Sequence, residues 1–137
     1  MTELPLTGGC LCGAIRFEIS EPLLSSRYCH CTRCQRRTGT AASPGAAIAP
    51  GSLRWRAGEG LIKIWWPPDG WGKAFCAECG SHLFSQSPDD PERKSVRLGA
   101  IDGDPGIRPT ARQFVANAAV WEPIPDDGLE RFPGRAP

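Results

Sequence analysis

The stretch FCAECGSHLF, residues 75–84, places Cys76 and Cys79 three positions apart and follows them with Gly80. In a C-x-x-C knuckle the chain turns sharply, so both sulfur atoms point into one space, and a glycine just after the second cysteine eases the turn. Short runs of strand-forming residues flank the two cysteines on both sides. The stretch therefore predicts two strands joined by a knuckle that offers two thiolates to a metal ion.

A second cysteine pair lies near the start of the chain, in the stretch GGCLCGAIRFEIS of residues 8–20. Side chains two positions apart on a strand share a face, so Cys10 and Cys12 also offer two sulfurs to one place. Two such pairs, remote in sequence, make a closed tetrahedral zinc site, and we pair Cys10 and Cys12 with Cys76 and Cys79. Spacing alone allows other partitions, and buried free thiols that act as small apolar side chains are the alternative.

The other three cysteines, Cys29, Cys31 and Cys34, fall within the run YCHCTRCQRRTG of residues 28–39. Three thiolates from one loop can hold a zinc ion and leave its fourth position free, which is typical of a catalytic or ligand-exchanging site. Water or the thiolate of a substrate would occupy that position, because zinc–thiolate sites accept sulfur well. The triplet is therefore our candidate reactive centre, with a second zinc.

Two other interpretations of the triplet remain open. His30 or His82 could supply a fourth ligand and close a purely structural site. Alternatively, the triplet binds no metal, or binds it loosely, and serves as a redox-sensitive set of thiols.

Basic and aromatic residues accompany the triplet. Arg33, Arg36 and Arg37 could form a rim that receives carboxylates, since arginine binds them bidentately, although ordinary surface charge is the competing explanation. For the three tryptophans around the Pro-Pro-Asp-Gly turn, core packing or a lid is favoured over a substrate wall: Trp65, Trp66 and Trp71.

Length and composition indicate one mainly β domain over residues 1–137. The 16 glycines and 14 prolines are spread along the chain, which suits many short strands with tight turns. Alternation places Ile15, Phe17 and Ile19 on one strand face. We expect a connector at 21–27, further strands at 46–48, 53–57, 61–66 and 94–102, a loop at 103–113, and a strand or short helix at 114–120.

Charge and cysteine usage limit the functional classes. The formal net charge of +1 does not favour nucleic acid or a membrane surface as a partner. No secretory signal or membrane-length apolar run is visible, so a cytoplasmic location is expected. In such a reducing compartment an odd count of seven cysteines favours metal binding over disulfides.

Three motifs together resemble one known family: GGCLCGAIRF, CHCTRCQRRTG and FCAECGSHLF, in this order and at these separations. They resemble the glutathione-dependent formaldehyde-activating enzyme family, which includes centromere protein V, and the tail WEPIPDDGLERFPG resembles the family's usual ending. The resemblance implies an Mss4-like β-tent fold with zinc-stabilised sheets. It also implies a structural zinc at Cys10, Cys12, Cys76 and Cys79 and a second zinc at Cys29, Cys31 and Cys34.

The same resemblance implies a reaction. Family members condense formaldehyde with glutathione to S-(hydroxymethyl)glutathione, or cleave that carbon–sulfur bond in the lyase direction. We therefore expect a zinc-dependent carbon–sulfur lyase that acts on a small thiol or glutathione adduct, with carboxylates held by the nearby arginines. The alternatives are a non-catalytic zinc domain that binds a thiol, a protein or nucleic acid, and a thiol-based redox or metal sensor.

Overall fold

The regular structure of the chain consists mainly of short strands. The computed structural model describes residues 3–137, which form eleven strands, one α-helix and three 3-10 helices. The strands are β1 (Leu6–Gly9), β2 (Arg16–Ile19), β3 (Ser25–Cys29), β4 (Ser43–Ala47), β5 (Leu53–Ala57), β6 (Ile62–Trp65), β7 (Gly72–Cys76), β8 (His82–Gln86), β9 (Lys94–Arg97), β10 (Ala111–Gln113) and β11 (Glu130–Arg131). The α-helix is α1 (Thr32–Thr38), and the 3-10 helices cover Glu59–Leu61, Leu98–Ala100 and Val115–Asn117.

The strands form two sheets of unequal size. The smaller sheet has the order β1-β2-β5, and the larger has the order β11-β10-β3-β4-β9-β8-β7-β6. Neighbouring strands run antiparallel, except that β10 lies parallel to both β3 and β11. In the larger sheet, β7, β8 and β9 are neighbours in chain order, and β4, which comes from an earlier part of the chain, pairs with β9. This pairing places residues of β4 beside residues of β9.

An apolar core lies between the two sheets. The Phe17 ring from β2 packs edge-on against Trp55 from β5, with ring centroids 5.8 Å apart. Trp55 in turn packs against Phe84 from β8 of the larger sheet, at 5.6 Å. Phe17 is only 2% exposed, and burying a phenylalanine side chain contributes about 1.5–3 kcal/mol. Aromatic packing therefore holds the small sheet on the large one.

The predicted mainly β class is confirmed, and the alternation over β2 is observed, with Phe17 and Ile19 both buried. The prediction of a plain connector over residues 21–27 is wrong at its end, because β3 begins at Ser25 and pairs with β4. The predicted loop over residues 103–113 is also wrong at its end, because β10 pairs in parallel with β3. Within residues 3–137, no helix has the length and apolar character needed to cross a membrane.

Candidate metal centres and the adjoining cavity

The first candidate metal centre joins the two sheets. Cys10 and Cys12 follow β1 of the small sheet, whereas Cys76 ends β7 of the large sheet and Cys79 lies in the turn after it. The four sulfur atoms all lie within 4.8 Å of one another. The Sγ atoms of Cys10 and Cys12 are 3.5 Å apart, and those of Cys12 and Cys76 are 3.9 Å apart. The predicted pairing of these four cysteines is therefore close in space.

Both cysteine pairs lie in tight turns that are closed by a glycine amide. The Gly80 amide donates to the Cys76 carbonyl at 2.8 Å, and the Gly13 amide donates to the Cys10 carbonyl at 3.1 Å. Gly80 and Gly13 have φ of +77° and +81°, a left-handed conformation that glycine adopts without steric cost. The glycines that flank Cys10 and Cys12 in the sequence, Gly8, Gly9 and Gly13, permit a tight bend there, and the turn is observed. The closing hydrogen bond joins residues four positions apart at the C-x-x-C pair and three positions apart at the C-x-C pair.

The donor set of this centre fits zinc. Zinc–sulfur bonds of about 2.3 Å in a tetrahedron separate the sulfurs by about 3.8 Å, close to the separations observed here. The four side chains are free thiols, so all are available as ligands. This cluster could hold a zinc ion with a complete set of protein ligands.

Ser81 supports this first centre and was missed by the sequence analysis. The Leu11 amide donates to Ser81 Oγ at 2.8 Å, which links the two turns directly. Ser81 Oγ also lies 3.1 Å from Cys79 Sγ. The hydrogen bond from Ser81 lowers the pKa of Cys79 to about 5, which favours the thiolate form that a metal ion requires. The available sequence signal was a hydroxyl residue two positions after the second cysteine.

The second candidate metal centre is entirely local. Cys29 ends β3, Cys31 caps the N-terminus of α1, and Cys34 lies in the first turn of that helix. Their three sulfur atoms also lie within 4.8 Å of one another. Cys29 and Cys34 are buried, and Cys31 is half-buried. The strand-to-helix junction thus places three thiols around one point, where they could hold a second zinc ion.

Hydrogen bonds at this junction favour negative charge on one sulfur. The thiols of Cys29 and Cys34 and the amides of Cys34 and Arg33 donate to Cys31, which lowers the pKa of Cys31 strongly. The Cys34 amide lies 3.3 Å from Cys31 Sγ in this arrangement. Loss of a proton is thereby made harder at Cys34, whose pKa is raised by its neighbours Cys29 and Cys31. A cation that accepts several thiolates would relieve this competition, so the chemistry of the donor set fits zinc.

Neither histidine joins the thiol clusters in the described part of the chain. The buried His30 directs Nε2 toward Nη1 of Arg112, at 3.2 Å. Arg112 is itself held by Asp127, with Nη2 2.7 Å from Oδ2. His82 lies on β8, and it too stands outside both clusters. Closure of the three-cysteine centre by histidine is therefore not supported by the geometry.

A cavity of about 410 Å³ adjoins the three-cysteine centre, and Cys29, Cys31 and Cys34 all line it. Its volume falls in the range of small-molecule pockets. Six basic residues also line it: Arg27, Arg33, Lys73, Arg93, Arg97 and Arg135. No aspartate or glutamate from residues 3–137 contributes to the lining.

The three arginines predicted for the rim occupy different places. Arg33 lines the cavity but is tied to Asp69, with Nη2 2.7 Å from Oδ1. Arg37 does not line the cavity; its guanidinium donates to Ser85 Oγ and the Phe84 carbonyl, each at 3.0 Å. Arg36 is exposed and also stands outside the lining. The structure therefore brings one of the three to the cavity surface.

Other cavity residues were missed because they come from separate strands. Ser43 lies on β4, Lys73 on β7, and Ser95 and Arg97 on β9, and all four line the cavity. The available signal was alternation, since Ser95 and Arg97 are two positions apart on one strand face. Trp71 also lines the cavity, and Arg93 stacks 5.4 Å from its ring, whereas the other two predicted tryptophans are 57% and 45% exposed.

The two sheets and the two thiol clusters define a class: a small β-sheet protein with one four-cysteine and one three-cysteine site able to hold zinc. The family model for the glutathione-dependent formaldehyde-activating enzyme matches residues 5–117, and the chain belongs to this family. The resemblance noted from the three cysteine motifs is thereby confirmed.

A solved structure supports the fold. The crystal structure of a Rhodobacter sphaeroides protein, determined as a structural-genomics target, is 23% identical in sequence and superposes with a TM-score of 0.60. The match covers 92% of this chain and 98% of that one. A search among curated proteins finds no significant relative. Family membership and the sheet arrangement together confirm the predicted Mss4-like β-tent class.

Proposed function

We propose that this protein is a zinc-dependent carbon–sulfur lyase that acts on a small thiol adduct such as S-(hydroxymethyl)glutathione. The observation that carries the proposal is the position of the three-cysteine cluster. It lies at the wall of a cavity of small-molecule size, and no fourth ligand comes from the described residues. The partner we propose is accordingly a small-molecule thiol rather than a membrane or a nucleic acid.

The proposal assigns two zinc ions per chain. Cys10, Cys12, Cys76 and Cys79 would hold a structural ion, because their set of four is complete. Cys29, Cys31 and Cys34 would hold the reactive ion at the cavity. Bound there, zinc would accept a further sulfur ligand and would favour a thiol in its thiolate form at neutral pH.

In the lyase direction, the hydroxyl proton of the adduct passes to solvent, a carbon–oxygen double bond forms, and the carbon–sulfur bond breaks. The bonding electron pair stays on sulfur, so the products are an aldehyde and a thiolate. In the reverse direction the thiolate pair attacks the aldehyde carbon, and the oxygen takes a proton from solvent. The basic wall of the cavity would stabilise the negative charge that develops on oxygen.

In this scheme the residues of the protein orient the adduct and set the electrostatic potential around it. Arg33 at the cavity wall could hold a substrate carboxylate, in keeping with the role expected from the sequence. Arg37, bound to Ser85 and Phe84 just outside the lining, would instead hold neighbouring strand residues in place. For Arg36 the structure offers no contact with the cavity, and the role predicted from sequence stays a prediction.

The test combines metal analysis with turnover. We expect close to two zinc ions per chain in the wild-type protein and few titratable thiols. Cys31→Ser should keep the fold, bind about one zinc, and lower turnover of S-(hydroxymethyl)glutathione by at least about a hundredfold, because a three-ligand site loses one ligand. Arg54→Gln, on the exposed face of β5, is the matched control for surface substitution.

Other outcomes would identify the alternative functions. One tightly bound zinc with three freely titratable thiols in the wild-type protein indicates a redox or metal sensor. A wild-type protein that binds two zinc ions but turns over no small thiol adduct, so that its activity equals that of Cys31→Ser, indicates a non-catalytic zinc domain.

A further inference from the structure

The interior wall of the cavity carries positive charge that no acidic residue balances. Lys73 and Arg97 face the cavity from β7 and β9, and neither forms an ion pair within residues 3–137. Arg93 lines the same cavity and contacts the Trp71 ring rather than a carboxylate. Lys73 and Arg97 are both half-buried, and an unpaired charge that is partly withdrawn from water is costly to keep, so this arrangement favours a counter-ion.

Arg97 is held in place by neutral groups. Its Nη1 donates to Ser43 Oγ at 2.8 Å, and its Nη2 donates to Ser95 Oγ at 2.8 Å. Its Nε is buried and has no hydrogen-bond partner among the described residues. The serines fix the direction of the guanidinium without neutralising its charge, so the charge stays available to a ligand.

The backbone under Arg97 leaves room for its guanidinium. Gly45 of β4 lies opposite Arg97 in the sheet. A Cβ at Gly45 would collide with Nη2 of Arg97 and would lie 2.9 Å from Ser95 Oγ. Gly45 has no positive φ, so steric space beneath the arginine, rather than backbone conformation, explains a glycine here.

These basic groups lie within electrostatic reach of the thiol cluster. Burial lowers the pKa of Arg97, and negative charge at Cys34 and Cys29 opposes that change. Burial likewise lowers the pKa of Lys73, with Cys34 again among the opposing groups. Three thiolates around one divalent zinc ion carry a single net negative charge, too little to balance Arg97, Lys73 and the neighbouring Arg37.

We propose that Lys73 and Arg97, the latter positioned by Ser43, Ser95 and Gly45, form a binding site for a compact oxyanion on the substrate. The substrate class is then a short-chain thiol, or its aldehyde adduct, that carries a carboxylate or a sulfonate a few bonds from sulfur. This inference rests on the proposed function, because it places the substrate sulfur at the three-cysteine centre. It adds a specificity-determining site that none of the cysteine motifs contains.

The test measures binding to the zinc-loaded protein by titration calorimetry, with probes of similar size. The probes are 3-mercaptopropionate, 2-mercaptoethanesulfonate, 3-mercaptopropan-1-ol and butyrate. We expect at least one of the two anionic thiols to bind about tenfold or more tightly than the neutral thiol, because hydrogen bonds to charged groups contribute strongly. The tighter of the two identifies the preferred anion.

Variants then locate the anion. Arg97→Gln and Lys73→Met should each weaken the anionic thiol about tenfold and leave the neutral thiol unchanged, because only the charge contact is removed. The melting temperature of each variant shows whether it is folded, and two variants on different strands guard against loss of fold in one of them. Arg54→Gln, whose side chain is exposed on the small sheet, is the matched control and should bind all probes as wild type does.

The two hypotheses fail in different comparisons. If the anionic thiols and 3-mercaptopropan-1-ol bind equally well, or if folded Arg97→Gln and Lys73→Met bind as wild type does, the oxyanion site is wrong. If 3-mercaptopropionate and butyrate bind equally well, the sulfur contributes nothing and the proposed role of the three-cysteine centre is wrong instead. Tight binding of an anionic thiol that neither 3-mercaptopropan-1-ol nor butyrate matches, and that is lost in the two variants, supports both.

Discussion

The two cysteine clusters use the same ligand atom but span very different lengths of chain. The four-cysteine centre joins residues as far apart as Cys12 and Cys76, which belong to turns beside different sheets. The three-cysteine centre is complete within the junction of β3 and α1. A metal ion that closes a long loop restrains the unfolded chain far more than an ion bound within one turn. We therefore expect the first centre to hold the fold together and the second to be free to serve chemistry.

The residues around the two clusters also differ, in charge and in the space beside them. The first centre is supported by Ser81, a neutral residue whose hydroxyl group contacts both turns. The second lies beside a cavity with Arg97 and Lys73 in its wall. The basic side chains and the cavity thus lie beside the three-cysteine cluster, where a ligand could bind. A structural metal site between the sheets needs neither.

Removing one ligand of the bridging centre should have the largest effect. Cys79→Ala leaves three ligands for a structural zinc, whose binding can supply roughly 10 kcal/mol of folding free energy. We expect loss of the folded state at 25 °C, seen as loss of the cooperative thermal transition in circular dichroism. Cys31→Ser, which removes one ligand of the local centre, is the matched control and should still melt cooperatively. If Cys79→Ala melts like the wild type, the structural role of the first centre is wrong.

Chelation should separate the two centres without any mutation. With a moderate excess of EDTA we expect about one zinc to leave first, with no change in the circular dichroism of the sheets, because three ligands hold it less firmly than four. Release of the second zinc should coincide with unfolding. The measurement follows zinc by a colorimetric indicator and structure by circular dichroism in parallel. Simultaneous loss of both ions with the fold would contradict the division between the two centres.

Several features of the fold and of the four-cysteine centre could be predicted because they depend on short, local sequence patterns. The C-x-x-C-G spacing in FCAECGSHLF predicts a turn wherever the rest of the chain goes. The alternation that buries Phe17 and Ile19 marks β2 without reference to its neighbours. The pairing of Cys10 and Cys12 with Cys76 and Cys79 followed the rule that two remote cysteine pairs complete a structural site, although spacing alone allowed other partitions, and the structure brings these four together.

The cavity wall could not be predicted in the same way. Ser43, Lys73 and Arg97 line one cavity because β4 joins the consecutive strands β7, β8 and β9 by pairing with β9, and no spacing rule gives that pairing. Proximity in sequence instead favoured the three arginines next to the triplet. Of these, Arg36 is exposed and does not line the cavity. Helix α1 was missed for a related reason: only Cys34 is buried in its seven residues, so no apolar stripe marks it.

Adding one methyl group beneath Arg97 tests whether the position of this arginine beside the three-cysteine centre matters for anion binding. Gly45→Ala should push the guanidinium out of place, because the new Cβ would overlap Nη2 of Arg97. We expect about tenfold weaker binding of 3-mercaptopropionate and a stability loss of about 1–3 kcal/mol from overpacking. Gly99→Ala is the matched control, since a Cβ there meets nothing within 4 Å. Unchanged affinity in folded Gly45→Ala would mean that the position of Arg97 does not matter for the anion.

The smallest effect we expect is at Ser81, and it sharpens the comparison from the structural side. Ser81→Ala removes the hydrogen bond that Ser81 Oγ accepts from the Leu11 amide and the contact with Cys79 Sγ. The loss of one neutral hydrogen bond should cost about 1 kcal/mol of stability, and the loss of a group that orients a ligand should weaken zinc binding at that centre about tenfold. Chelator competition should show this weakening for the slowly released zinc alone. If Ser81→Ala instead speeds release of the first zinc, the two ions have been assigned to the wrong centres, because Ser81 touches only the cluster that bridges the sheets.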